Sequence, residues 1–127
     1  MVLNMSIGRQ HSETEMQELY GKICYALLAV VEEEKNNIAY CLYLRTDKTW
    51  HRFSLDAGVL FWDENEAPDP EDDISGSVVY RELGTELKLV NKTLNKIKME
   101  NGQLDFQVED GTGFQLFDLE DGILIKI

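Results

Sequence analysis

The sequence predicts an α+β domain, with one long N-terminal helix packed on a mainly antiparallel meander sheet of about six or seven strands. Three observations lead there. Apolar residues recur at helical spacing from Met16 to Val30. From Ile38 the apolar period changes to two. Glycine-containing turn signals then recur to the end of the chain.

The helix is justified first. Ser12 and Glu15 have the spacing of a capping box, and Glu13, Glu15 and Glu18 suit the positive end of a helix dipole. Met16, Leu19, Ile23, Leu27 and Val30 make one stripe, widened by Tyr20, Cys24 and Val31. The spacing predicts a helix from about Glu13 to Glu33, preceded by a flexible lead-in over residues 1–11. Glu32, Glu33 and Glu34 crowd the negative end of such a helix, and Asn36 and Asn37 allow it to stop earlier.

The strands follow. Ile38, Tyr40, Leu42 and Leu44 alternate with Ala39, Cys41, Tyr43 and Arg45. A turn at Asp47–Lys48 returns the chain as Trp50 to Leu55, and Asp56-Ala57-Gly58 fits a three-residue hairpin loop before a third strand, Val59 to Trp62. In that register Leu44 faces His51, Leu42 faces Phe53, Tyr40 faces Leu55 and Phe61 lies beyond Phe53. This face is apolar and expected to meet the helix. The opposite face carries Tyr43, Arg45, Trp50, Arg52 and Trp62, with Arg52 beside Trp62. A one-residue slip inverts the assignment.

Residues 63–76 are expected to form an exposed acidic loop. Within 63–73, Asp63, Glu64, Glu66, Asp69, Glu71, Asp72 and Asp73 supply seven carboxylates and there is no basic residue. Pro68 and Pro70 lack the N–H a central strand needs. Ser77 to Leu83 reads as a strand, and 84–94 fits either a helix or a strand. Asn101-Gly102 is a type I′ hairpin signal that sets Met99 against Leu104, Lys98 against Asp105 and Ile97 against Phe106. Glu109-Asp110-Gly111 sets Phe106 opposite Phe114, and Glu120-Asp121-Gly122 sets Phe117 opposite Ile125. The parity then changes within the strand that holds Phe114 and Phe117, which calls for a bulge or burial on both faces.

At 127 residues the chain is expected to be a single domain, 1–127. Its net charge of −12 repels nucleic acid and anionic membrane and attracts cationic proteins. Cys24 and Cys41 fit no disulfide framework or CxxC site and read as buried thiols of a reducing compartment. No signal-peptide run or bilayer-length apolar run is found, so the cytoplasm is the expected compartment.

His11 and His51 are the only histidines, the first in the lead-in and the second in an apolar register. The serines lack a G-x-S-x-G context, the Cys and His spacing matches no zinc template, and no phosphate-binding glycine loop occurs. An EF-hand alignment from Asp105 fails because glycine falls one residue late, at Gly111. No catalytic residue, cofactor or metal site is therefore expected.

What remains is a recognition surface. Tyr43, Arg45, Trp50, Arg52 and Trp62 are of the types enriched at binding hot spots, and Trp62 leads directly into the acidic stretch. The alternative reading of Trp50 and Trp62 is core. In broad character, though in no motif, the chain resembles bacterial immunity proteins. That resemblance implies a small, acidic, non-catalytic inhibitor of a basic toxin or nuclease. The alternatives are an acidic secretion chaperone or adaptor and a small metal-dependent enzyme. The oligomeric state is left open.

Overall fold

The computed structural model describes residues 7–11, 13–68, 78–120 and 122–127. Its strands are β1 (Ile7–His11), β2 (Thr14–Glu15), β3 (Cys24–Glu32), β4 (Lys35–Thr46), β5 (Thr49–Asp56), β6 (Val59–Glu64), β7 (Val78–Arg81), β8 (Leu94–Glu100), β9 (Gln103–Val108), β10 (Gly113–Leu119) and β11 (Gly122–Lys126). A 3-10 turn (Gln17–Leu19) and one four-residue helix, α1 (Leu83–Glu86), complete the described elements. No helix among them is long and apolar enough to cross a membrane.

The α+β expectation is thus overturned: the protein is almost entirely antiparallel sheet. The segment predicted as a helix over 13–33 is instead β2, the 3-10 turn and β3. Gly21, at φ 87°, turns the chain out of any helix between the two halves of the stripe. From Cys24 to Val31 the sequence is apolar on every side, so it fits a helical period and an alternating one equally well. Alternation wins because β3 has partners on both edges, β4 and β7. Leu27, Ala29 and Val31 are buried, while Leu28 and Val30 between them are half-buried. Met16 and Leu19 still reach the core, but from the 3-10 turn.

β4 holds the sheet together. One edge pairs with β3, and the other pairs with β5 through Leu42–Thr46 and with β11 through Ile38 and Ala39. The hairpins β11-β10-β9-β8 then carry the sheet round. It closes where β8 begins: Ile23 bridges Thr93, the Cys24 amide donates to the Lys92 carbonyl at 2.9 Å, and the Leu94 amide donates to the Lys22 carbonyl at 2.8 Å. Beyond β5, β6 and then β1 extend the wall. Ile7–His11, expected as lead-in, are therefore a paired strand. Leu27, Leu42, Phe53, Ile97, Phe106 and Leu116 fill the interior, leaving an apolar void of about 10 Å3. That is no ligand chamber.

Register decides which side chains face the core. The β4–β5 pairs Leu42–Phe53 and Leu44–His51 follow the spacing of the sequence. Tyr40 does not face Leu55. It is the extra residue where β3 pairing jumps from Cys41 to Ala39, it is 48% exposed, and its hydroxyl donates to Glu32. The β5–β6 loop is also shorter than expected. Asp56 pairs with Val59, leaving Ala57 (φ 52°) and Gly58 (φ 77°) as a two-residue turn. This one-residue difference places Trp62 opposite Phe53 and Asp63 opposite Arg52. Trp62 becomes a core residue, 2% exposed.

The β8–β9 pairs Ile97–Phe106, Lys98–Asp105 and Met99–Leu104 match the Asn101-Gly102 prediction. Phe106 faces Phe114, the rings stacked with centroids 4.9 Å apart. The last hairpin is again one residue tighter than expected. Leu119 pairs with Gly122, so Leu116 faces Ile125 and Phe117 faces Leu124. Phe114 and Leu116 then share the buried face and β10 needs no bulge. The ambiguous 84–94 segment contains most of α1 and two left-handed turn residues, Lys88 and Asn91.

Trp62→Ala removes a large side chain from this packed interior. It is expected to lower unfolding stability by about 3–5 kcal/mol in urea denaturation. The exposed Arg45→Ala should stay within about 0.5 kcal/mol. Equal small effects would place Trp62 on the outer face.

Candidate functional site

The residues predicted to form one binding face are divided between two sides of the β4–β5–β6 sheet. Tyr43, Arg45, Trp50, Arg52 and Asp63 share the outer face, with Arg45 beside Trp50 and Tyr43 beside Arg52 in register. Trp62 and Glu64 have the opposite parity and belong to the inner side. Glu66 lies beyond β6 and is half-buried. Asp69, Glu71, Asp72 and Asp73 fall outside the described residues.

On the outer face the Tyr43 ring meets Tyr80 of β7 edge-on, with centroids 6.4 Å apart. Arg45 is exposed and its Nε donates to the Asp47 carbonyl at 3.1 Å. Arg52 approaches Asp63 at 4.0 Å, both partly exposed, so this pair contributes little to stability. The Arg52 Nε is buried without a hydrogen-bond partner among the described residues. Burial, with the adjacent Cys41 thiol, pushes the Tyr43 phenol up to about 12, against the opposing pull of Arg52. Trp50 is half-buried at the same face.

The inner side holds a buried hydrogen-bonded chain that the sequence did not reveal. Trp62 Nε1–H donates to His51 Nδ1 at 2.9 Å, and His51 Nε2 lies 3.2 Å from the Thr46 hydroxyl. His51 and Thr46 are 3% and 2% exposed. An indole N–H only donates, so Nδ1 carries the lone pair and the proton of the neutral ring is on Nε2, toward Thr46. The imidazole tilts against Trp62, with ring centroids 5.7 Å apart. Above this chain opens a cleft of about 300 Å3, walled by Glu18, Lys22, Asp47, Thr49 and Glu64. Glu18 and Lys22 come from the segment predicted as a helix, which hid their meeting with His51. The available signal was the two-residue reading of the Ala57-Gly58 turn, which puts Trp62 and His51 on one face.

A second groove, of about 360 Å3, crosses the outside of β8–β11. Burial there raises the Asp105 carboxyl, but hydrogen bonds from Gln103 (2.9 Å) and Gln115 (2.8 Å), with Lys96 nearby, outweigh it and hold the group below the usual range. Among the described residues no group of three His, Cys, Asp or Glu is placed to hold a metal ion. Cys24 and Cys41 are free and buried, and burial pushes the Cys24 thiol up to about 11.

Comparisons with protein-family models, with curated proteins and with solved structures give no match to this chain.

The raised thiol and phenol set an alkaline limit. A group whose folded pKa is raised gives stability that is complete below its unfolded value and lost as pH climbs through the folded one. For Cys24 that window runs from 9.0 to about 11, and for Tyr43 from 10.0 to about 12. The urea midpoint is expected to fall across pH 9–12. Tyr43→Phe should flatten the upper part of the fall, and an unchanged slope above pH 10 in that variant would show that Tyr43 is not its source.

Proposed function

We propose that this chain is an acidic, non-catalytic protein-binding domain that blocks a basic partner, in the manner of bacterial immunity proteins acting on basic toxins or nucleases. The observation that carries the reading is one of placement. Strand β6 joins the outer face, with Tyr43, Trp50 and Arg52 around Asp63, to the acidic stretch that follows it. Aromatic and arginine side chains supply slow release, and a surrounding negative field supplies fast encounter with a cation. The net charge of −12 supports a basic protein as partner and disfavours nucleic acid. Two free, buried thiols support a reducing compartment, the cytoplasm. Because Trp62 is core, the anchors on this face are Tyr43 and Trp50.

The partner is identified by pull-down from the native host and mass spectrometry, and its binding kinetics are then measured with variants. Changing Asp69, Glu71, Asp72 and Asp73 to Asn or Gln should slow association by about tenfold at low salt and flatten its salt dependence, with melting unchanged. Trp50→Ala should act mainly on dissociation. Association at the wild-type rate after neutralisation, at low salt, ends the charge-steering reading.

A further inference from the structure

The groove outside β8–β11 is lined by side chains whose hydrogen-bonding capacity is only partly used. Side chains alternate along each strand, so Lys96 of β8, Asp105 and Gln107 of β9, Gln115 of β10 and Lys126 of β11 lie on the same outer side. Pairing sets Lys96 beside Gln107, Asp105 beside Gln115 and Gln115 beside Lys126. Gly113 stands opposite Gln107. A Cβ there would lie 1.9 Å from the Phe106 carbonyl oxygen, so the groove has no side chain at this point of its floor.

The polar groups can be accounted for one by one. Asp105 Oδ1 accepts from both Gln103 and Gln115, at 2.9 and 2.8 Å. Its Oδ2 has the Lys96 ammonium at 3.7 Å and keeps a place for another donor. Gln115 spends its Nε2 on Asp105, which leaves its amide oxygen as an acceptor. The Gln107 side-chain amide has no hydrogen-bond partner among the described residues, so it offers both a donor and an acceptor. The Lys126 ammonium lies over the Phe117 ring, 5.9 Å from its centre, and brings further donors.

Donors and acceptors are therefore mixed within one groove of about 360 Å3, at the small end of ligand pockets. An entering anion meets the Asp105 carboxylate and the glutamine oxygens, and an entering cation meets two ammonium groups. A hydroxyl group donates and accepts at one atom, and neighbouring hydroxyls on a ring match a mixed lining of this kind. Phe117 shares the face, half-buried, and adds an apolar ring surface for C–H bonds. We propose that this groove binds the hydroxyl groups of a neutral carbohydrate, with Asp105 Oδ2 and the Gln115 amide oxygen accepting hydroxyl protons and Lys126 and Gln107 donating to hydroxyl oxygens. The site is separate from the β4–β6 face and does not rest on the reading of that face.

The test uses the full chain and the neutral disaccharides maltose, cellobiose, lactose and N,N′-diacetylchitobiose, with inorganic phosphate as the charged control. Backbone and glutamine side-chain amide NMR shifts report binding. At least one disaccharide is expected to give saturable shifts at Gln107, Gln115 and Lys126. Gln107→Ala should weaken that sugar by about fivefold and leave melting unchanged. Asp105→Asn keeps the size of the side chain and removes its charge, so it should weaken the sugar by about tenfold and strengthen phosphate. If Asp105→Asn fails to fold, Gln107→Ala decides alone. A methyl glycoside that binds like the parent sugar marks a carbohydrate carried on a larger molecule, and one that fails to bind marks a free sugar; both uphold the site. Absence of saturable shifts with every one of these sugars overturns the proposal. So does phosphate binding at the same residues as tightly as the best sugar, or a folded Gln107→Ala or Asp105→Asn variant that binds the sugar like the parent.

Discussion

The shared edge of β4 is the constraint on which the structure depends. Twelve residues long, this strand offers one edge to β3 and divides the other between β5 and β11. A strand serving three neighbours joins what is otherwise two sets of hairpins. The bulge at Tyr40 makes this possible, because it resets the parity so that Ala39 and Leu42 are both buried. The same division lets β5 and β6 extend past the closed part of the wall, and it is on this extension that both the outer aromatic face and the His51 cleft are built.

Local pairings were legible in the sequence where turn chemistry left one choice. Asn101-Gly102 specified a two-residue loop, and the three pairs flanking it followed. The Asp47–Lys48 turn likewise set Leu42 and Leu44 against Phe53 and His51. The Asp-Ala-Gly and Glu-Asp-Gly loops were ambiguous, because glycine in third place suits a three-residue loop as well as a two-residue one. The Asp56-Ala57-Gly58 and Glu120-Asp121-Gly122 readings are each one residue too long, whereas Glu109-Asp110-Gly111 sets Phe106 opposite Phe114 as expected. In a sheet whose side chains alternate, that error is enough to exchange core for surface, as it did for Trp62 and Phe117. The helix over 13–33 was illegible for another reason. A strand covered on both faces loses its alternation in sequence, and an unbroken apolar run satisfies any period.

The candidate site shows the same division. Tyr43, Arg45, Trp50 and Arg52 were correctly grouped because β4 and β5 were correctly paired. Glu18 and Lys22 were missed because their proximity to His51 depends on how distant segments meet, which no local pattern encodes, whereas Thr46 lies only five residues from His51 across the correctly paired β4–β5 hairpin. The surface ion pairs Arg52–Asp63 and Lys96–Asp105 are exposed enough to contribute little to stability. The fold therefore rests on its packed interior, and the charges are left to act on what lies outside it.

The closure at Ile23 and Thr93 also bears on how the chain reaches this state. The hairpins β4–β5, β5–β6, β8–β9, β9–β10 and β10–β11 join neighbours in sequence, but the closing contact spans most of the chain. The entropy of that large loop must be lost before the bridge forms. A topology so weighted toward distant partners belongs with the slow folders, on the order of milliseconds to seconds. Until the ring shuts, the edges of β3 and β8 present unpaired backbone, open to a strand from another copy of the chain.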